Sequence, residues 1–334
     1  MQTKASSAGL NDLQIEPIDQ SLEPQFRARM DGKAKPLGSL GRLEDLAVQL
    51  GLIWYPQTPR TERAAVFVFA ADHGLVAEGV SLYPASVTRA MVTTYLAGRA
   101  GVNALAKASG VDVQVIDAGV DADIPVRPGL IDAKIRRGSR NAARESALTL
   151  EEASNGLARG ASIVATSIDA GTDVVAIGEM GIGNTTSAAL LMHRLALAPL
   201  ADCVGAGAGL DAAGVARKLA VAERAASRSD ATSPLDVLAE FGGYEIAMMA
   251  GAVLGSAARR RPVIIDGFIA TAAALVAVEL CPRVRSFLIA AHRSVEVGHR
   301  AALERLELWP SMQGQMLPPV RAFRTRRRNR STST

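Results

Sequence analysis

Short, uninterrupted runs of apolar residues are the feature that most limits how this chain can fold. Residues 64–70 (AAVFVFA) contain no polar position, and similar runs occupy residues 174–177, 263–265 and 287–290; residues 111–116 (VDVQVI) are a related run in which Asp112 and Gln114 alternate with apolar residues. A strand that is apolar at every position is buried on both faces, which is typical of a parallel sheet covered by helices. Alanine-rich stretches with helical character separate the runs, at residues 91–108, 185–197, 245–258 and 269–279. This alternation predicts a doubly wound α/β fold.

Acidic residues next to glycines follow four of the predicted strands. In a doubly wound sheet, ligands bind at the carboxyl ends of the strands. The acidic residues at these ends are Asp72, Asp117, Glu179 and Asp266. Ordinary turns also use Asp and Gly, but four such pairs at one edge of a sheet favour a polar ligand-binding cleft.

A glycine-rich segment, residues 178–186 (GEMGIGNTT), is the strongest local signal. A helix that starts after bare glycines presents unpaired N–H groups, which can bind a phosphate or a carboxylate. The alternative is an ordinary strand-to-helix connection capped by threonine. Glu179 is unusual here, because a carboxylate beside an anion site must face a cationic centre or bind a proton. The candidate phosphate-binding residues are Gly181, Gly183, Asn184, Thr185 and Thr186.

A second glycine cluster, residues 205–209 (GAGAG), precedes a predicted helix over residues 213–224. It matches the dinucleotide fingerprint poorly, because Leu210 stands where that fingerprint needs a small residue. Lys218, on the predicted helix, can reach an anion at this cluster, although a solvated surface lysine is the alternative.

Three side chains with metal-binding chemistry share one predicted helix face: His292, Glu296 and His299. They could hold zinc, but hydrogen-bonded helix packing explains them better because no second ligand cluster is evident. His73, at a strand end, could act as an acid or base, although no nucleophile motif accompanies it.

Charge and composition exclude several classes of partner. The net charge of +4 depends on six arginines in residues 321–334; without these six of the 37 basic residues, 31 face 33 acidic residues and the charge is −2. That distribution and an aromatic content of 4% argue against nucleic-acid binding. Two cysteines, no signal-peptide pattern and no apolar run long enough to span a bilayer predict a cytoplasmic protein without membrane contact.

Six segments, taken together, resemble the nicotinate-nucleotide–dimethylbenzimidazole phosphoribosyltransferase family of cobalamin lower-ligand assembly. The resemblance runs in one order from about residue 11 to 308, and its most specific string is GEMGIGNTT. The other segments are KPLGSLGRLE (35–44), ADHGLVAEGVSLYP (71–84), FGGYEIA (241–247), PVIIDGF (262–268) and HRSVEVGH (292–299).

The resemblance implies a Rossmann-like parallel sheet flanked by helices, with a small helical domain built from both chain ends. Residues 1–60 and 296–308 would form the small domain, residues 61–295 the catalytic domain, and residues 309–334 a Pro/Arg-rich disordered tail. It also implies a homodimer that needs no metal or cofactor. In the implied reaction, a benzimidazole nitrogen attacks C1′ of nicotinate mononucleotide with inversion, and nicotinate leaves.

The resemblance also implies roles for particular residues. Glu179 would stabilise the electron-poor C1′, and Lys218 would orient an anionic group. Ser81, Tyr83 and Met180 would line the slot for the base. Gly205, Gly207 and Asp266 would complete the nucleotide site together with the glycine-rich helix start.

The chain departs from the family pattern in three places. Residues 88–91 (TRAM) lack the glutamine common in relatives, and the second glycine loop has Ala206 and Ala208 where its sequence differs from the family pattern. After Glu307 there is no acidic residue, so the family's C-terminal general-base glutamate is absent. We expect a frameshifted or truncated gene and weakened catalysis; the alternative is an inactive paralogue that binds the nucleotide or the base.

Overall fold

A single six-stranded parallel sheet organises the molecule. The computed structural model describes residues 13–292 and 297–309. The strand order is β3-β2-β1-β4-β5-β6, and every neighbouring pair is parallel. The strands are β1 (Ala64–Ala71), β2 (Asp112–Gly119), β3 (Leu130–Asp132), β4 (Val174–Met180), β5 (Val263–Ile265) and β6 (Leu288–Ala290). This order confirms the predicted doubly wound, Rossmann-like sheet, and it reverses direction between β1 and β4.

Helices cover the sheet. In the described part of the chain the α-helices are α1 (Glu23–Asp31), α2 (Arg42–Trp54), α3 (Ser86–Leu96), α4 (Gly101–Ser109), α5 (Leu150–Asp169), α6 (Asn184–Leu195), α7 (Leu200–Cys203), α8 (Ala212–Ser227), α9 (Pro234–Phe241), α10 (Tyr244–Ala258), α11 (Phe268–Leu280) and α12 (Val297–Arg305). Short 3-10 helices occupy Gln20–Leu22, Gly74–Glu78 and Pro282–Phe287. None of the described helices is long and apolar enough to cross a membrane.

Most predicted elements are confirmed, with differences at their ends. Residues 263–265 form β5 as predicted, and the other predicted strands shift or extend by up to three residues. The stretch 91–108 is two helices rather than one, because α3 ends before Gly98, which has a φ of +70°. The structure adds β3 and α5, which were not predicted.

The core contains a close crossing of two helices, α5 and the almost wholly buried α10. A Cβ at Gly160 would lie 1.9 Å from the carbonyl oxygen of Met248, and one at Gly251 would lie 1.9 Å from that of Leu157. Real Cβ atoms do not approach this closely, so the two backbones touch directly. Only glycine at these two positions allows α10 to pack at this depth.

Both described ends of the chain pack on this body. Helices α1 and α2 contact each other, and α2 buries Leu52, Ile53 and Trp54 in the main core. Helix α12 contacts α11 and α7. The predicted tail lies, apart from Trp309, outside the described residues, and the proposed domain boundaries stay a prediction.

Candidate active site

The candidate site lies where the strand order reverses, the position at which doubly wound sheets bind their ligands. The ends of β1 and β4 are adjacent, with Phe69 opposite Glu179 and Ala70 opposite Met180. After β4 the chain turns through Gly181 and Gly183 into α6. A Cβ at Gly181 would lie 2.5 Å from the carbonyl oxygen of Ala71, so this loop rests directly on the end of β1.

The start of α6 is bare backbone. Gly183 is the N-cap, with a φ of +92°, and no side chain caps the helix. A Cβ at Gly183 would also lie 2.8 Å from Cγ2 of Val76, so both the backbone and the available space require glycine. The alternative of a threonine cap is therefore wrong. The N–H groups of Asn184 and Thr186 donate to the carbonyl oxygens of Gly181 and Gly183 at 3.3 and 3.1 Å, and the positive end of the helix dipole still favours an anion at this place.

Glu179 stands beside this helix start. It is half-buried, and Asn184 donates a hydrogen bond from Nδ2 to its Oε2. Burial raises the pKa of Glu179 to about 7; the Asn184 hydrogen bond opposes the rise, and the negative charge of Glu245 adds to it. A carboxyl group with this pKa gains or loses its proton near neutral pH.

Lys218 joins the two glycine loops that the sequence suggested separately. Its Nζ donates to Thr185 Oγ1 at 2.9 Å and to the carbonyl oxygen of Gly205 at 3.1 Å. The residue is only 1% exposed, so the alternative of a solvated surface lysine is wrong. A Cβ at Gly207, which has a φ of +55°, would lie 3.3 Å from both Nζ and Thr185 Oγ1. The structure therefore brings Lys218, Thr185, Gly205 and Gly207 together at one place.

Thr186 and Thr88 lie behind the glycine loop. Both are fully buried. No hydrogen-bond partner for Thr186 Oγ1 is found in the part of the chain that the structure describes, and its phosphate-binding role stays a prediction. Thr88 Oγ1 accepts a hydrogen bond from the N–H of Ile182 at 3.2 Å, and so anchors the loop to α3. Sequence reasoning did not assign this supporting role.

The predicted base-binding residues lie on two segments. Ser81 Oγ accepts a hydrogen bond from the N–H of Tyr83 at 3.1 Å, and the Tyr83 side chain is 48% exposed. Met180, at the end of β4, packs against a small cluster that includes Val92 and Val120. Their joint role in binding a base stays a prediction.

A buried ion pair lies beneath the cleft. His73 Nε2 is 2.6 Å from Glu245 Oε1, and His73 Nδ1 is 3.0 Å from Ser187 Oγ. Burial alone lowers the pKa of His73, but Glu245, together with the charges of Asp72 and Glu179, outweighs that effect and the pKa is raised. Sequence reasoning missed this pair, whose members are 172 residues apart. The available signal was that Glu245 is the one charged residue of the otherwise uncharged helix α10 and follows two glycines.

Asp266, at the end of β5, is hydrogen-bonded to Nδ1 of His292. That bond raises the pKa of His292. His299 Nε2 is 2.9 Å from Thr271 Oγ1, and its ring lies 6.0 Å from the His292 ring. Both histidines are thus engaged in packing. Glu296 lies outside the described residues, within which no group of three metal-binding side chains occurs.

Comparison with known proteins decides the family. A family model described as "Phosphoribosyltransferase" matches residues 15–317. The chain belongs to this phosphoribosyltransferase family. The resemblance inferred from the six sequence segments is therefore confirmed.

Named relatives agree with the family match. The nicotinate-nucleotide–dimethylbenzimidazole phosphoribosyltransferase of Cupriavidus necator is 51% identical over 298 residues, which cover 89% of this chain and 86% of that protein. The protein of the same name from Deinococcus radiodurans is 47% identical and covers 93% and 87% of the two chains. The crystal structure of CobT from Thermus thermophilus superposes with a TM-score of 0.85 at 42% identity, over 89% of this chain and 90% of the other.

Proposed function

We propose that this protein transfers the 5-phosphoribosyl group of nicotinate mononucleotide to 5,6-dimethylbenzimidazole. The products are α-ribazole 5′-phosphate and nicotinate, in the assembly of the cobalamin nucleotide loop. The observation that carries the proposal is that Glu179 and the buried Lys218 both contact the first turn of α6, which has no side-chain cap, through Asn184 and Thr185. The names of the relatives support the choice of substrates.

In the proposed site, positively charged groups bind the phosphate of the nucleotide and a carboxylate faces its ribose. The start of α6 and Lys218 supply positive charge for the 5′-phosphate. The nitrogen lone pair of the base forms a bond to C1′ while the bond between C1′ and the pyridinium nitrogen breaks, and the electrons of that bond neutralise the ring. Positive charge builds on the ribose during this exchange, and ionised Glu179 stabilises it. In this proposal Ser81, Tyr83 and Met180 line the slot for the base, and Asp266 contributes to binding the nucleotide.

Nicotinate needs no protonation to leave, because its ring is already cationic in the substrate. The benzimidazole, in contrast, must lose its N–H proton after it has been alkylated. Residues 308–334 contain no Asp or Glu, so the family's C-terminal glutamate has no counterpart there. General-base catalysis typically contributes about 10²–10⁴-fold, and the proposal therefore includes a rate lower than that of the relatives by a factor in this range.

Incubation of the purified chain with both substrates tests the proposal. We expect nicotinate and α-ribazole phosphate to form in equal amounts, measured by chromatography beside the Cupriavidus necator enzyme. Calorimetric binding of nicotinate mononucleotide without any product would refute the transferase and favour an inactive binding paralogue. The proposal also includes a cytoplasmic homodimer, and a monomer mass by light scattering would contradict that part.

A further inference from the structure

The buried pair of His73 and Glu245 has no part in the reaction described above. His73 is 3% exposed and Glu245 is not exposed at all, and the two side chains contact each other through His73 Nε2 and Glu245 Oε1. We propose that the two are positioning residues that set the pH range over which Glu179 is ionised and the enzyme is active. This inference rests on the proposed transferase reaction.

The pair is built so that its charge is poorly screened. Glu245 Oε1 contacts His73 Nε2, but its Oε2 is buried and finds no donor among the residues that the structure describes. The second nitrogen of His73 faces the neutral hydroxyl of Ser187. In such surroundings of low polarity, the field of a charged group reaches its neighbours more strongly than it does in water.

Glycines keep the space between the pair and the cleft free of side chains. A Cβ at Gly243 would lie 2.3 Å from His73 Cε1 and 2.6 Å from Glu245 Oε2, so any larger residue would displace the pair. A Cβ at Gly181 would lie 3.4 Å from Glu245 Oε1 and 3.3 Å from Asn184 Nδ2. Gly181 thus lies between the pair and Asn184, which holds Glu179, and leaves no side chain between them.

The groups that face Glu179 come from four elements. Glu245 is on α10, His73 follows β1, Asn184 begins α6, and Tyr95 is on α3. The charge of Glu245 raises the pKa of Glu179, whereas the charge of His73 and the Asn184 hydrogen bond lower it. Tyr95 is neutral below its own raised pKa of about 12. Asp72 influences Glu179 indirectly, because the charge of Asp72 favours the protonated form of His73.

The substitution Glu245→Gln removes the like charge and keeps the size of the side chain. The amide can still hydrogen-bond to His73, which loses its anionic partner and becomes neutral because it is buried. Glu245 lies against Gly181 beside Asn184, which holds Glu179, so the loss of its negative charge should let Glu179 ionise at lower pH in this variant. The acid side of the profile of kcat/KM against pH then moves to lower pH.

We would measure kcat/KM from pH 5.5 to 9 for the wild-type protein and E245Q. If the midpoint near pH 7 falls by half a unit, the ratio of the rates at pH 6 and pH 8 increases about two- to threefold. Ser187→Ala is the matched control, because it disturbs the packing of His73 without changing any charge. We expect S187A to change the rate without moving the midpoint. The double variant His73→Gln/Glu245→Gln contains no buried ion and serves if E245Q does not fold.

An unchanged or higher midpoint in E245Q and in the double variant would overturn the inference. Carbon-13 NMR of glutamate-labelled protein, with Glu179→Gln used to assign the signal, measures the same titration without substrate. A wild-type protein that makes no product refutes the proposed reaction, whereas an unshifted Glu179 titration in E245Q refutes only the role of the pair.

Discussion

Replacement of Glu179 by glutamine is the most direct test of the proposed chemistry. Glutamine has the same size, and its amide oxygen can accept the hydrogen bond that Asn184 Nδ2 donates to Glu179. The loop should therefore keep its shape while the cleft loses its negative charge. Loss of one preorganised electrostatic contact to a transition state typically costs about 10²–10³-fold, or about 2.7–4 kcal/mol. We expect kcat/KM to fall by that factor, with a smaller change in the KM for nicotinate mononucleotide.

The protonation of Glu179 determines in which direction the rate changes with pH. The ionised form of Glu179 is the active one, so the rate falls as the pH drops through the pKa of about 7. A group with this pKa is about one-tenth ionised at pH 6 and about nine-tenths ionised at pH 8, which predicts a roughly tenfold rise in wild-type activity between the two. E179Q should lack this rise.

The assay is chromatographic detection of α-ribazole phosphate at saturating base, with matched ionic strength across the pH range. Glu151→Gln is the control, because it removes an exposed carboxylate at the start of α5 and should leave the profile unchanged. An E179Q variant with more than a third of wild-type activity, or with the same tenfold rise, would refute the electrostatic role of Glu179.

Three further predictions concern binding and stability. Lys218→Met should raise the KM for nicotinate mononucleotide about 10–100-fold, because a hydrogen bond from a charged group contributes about 1.5–3 kcal/mol. An unchanged KM in steady-state kinetics would mean that the phosphate binds elsewhere. Gly160→Ala should lower the free energy of unfolding in urea by about 1–3 kcal/mol or more, since its Cβ would lie 1.9 Å from the Met248 carbonyl oxygen. Gly101→Ala, which meets nothing within 4 Å, is the matched control, and equal stability of the two variants would contradict the reasoning. Burial lowers the pKa of His299 to about 4. Between pH 6.5 and 4 the unfolded state therefore binds a proton that the folded state does not. The free energy of unfolding should fall by about 3 kcal/mol over this range. His299→Asn should remove this part of the urea-monitored pH dependence, and an unaltered slope would argue against it.

The parallel sheet was predictable because β1 is apolar at every position and β4 begins with four apolar residues. Residues 64–70 and 263–265 have no other simple explanation. Strand β3 was missed because it has three residues, none of them buried, and pairs only with β2 at the sheet edge. The stretch 91–108 was read as one helix because its alanine content hid the break at Gly98.

The candidate site was predictable where its residues are close in sequence. Glu179 and Asn184 are five residues apart and follow directly from the glycine-rich segment. The contact of Lys218 with both glycine loops was less evident, since periodicity cannot distinguish a buried lysine from a solvated one. The contact between His73 and Glu245 depends on how α10 packs beneath β1, and no local pattern encodes a pairing over that distance.

The glycine crossing of α5 and α10 ties the chemistry of the cleft to a remote part of the interior. Gly251 is six residues from Glu245 along α10, about 9 Å of helix rise. Because α10 is a continuous helix, a lateral displacement at the crossing also moves its first turn, and with it Glu245 beneath the strand ends. A methyl group added at the crossing would push α10 outward and retune the cleft without touching it. A substitution at these glycines should therefore change the titration of Glu179 as well as the packing of the core.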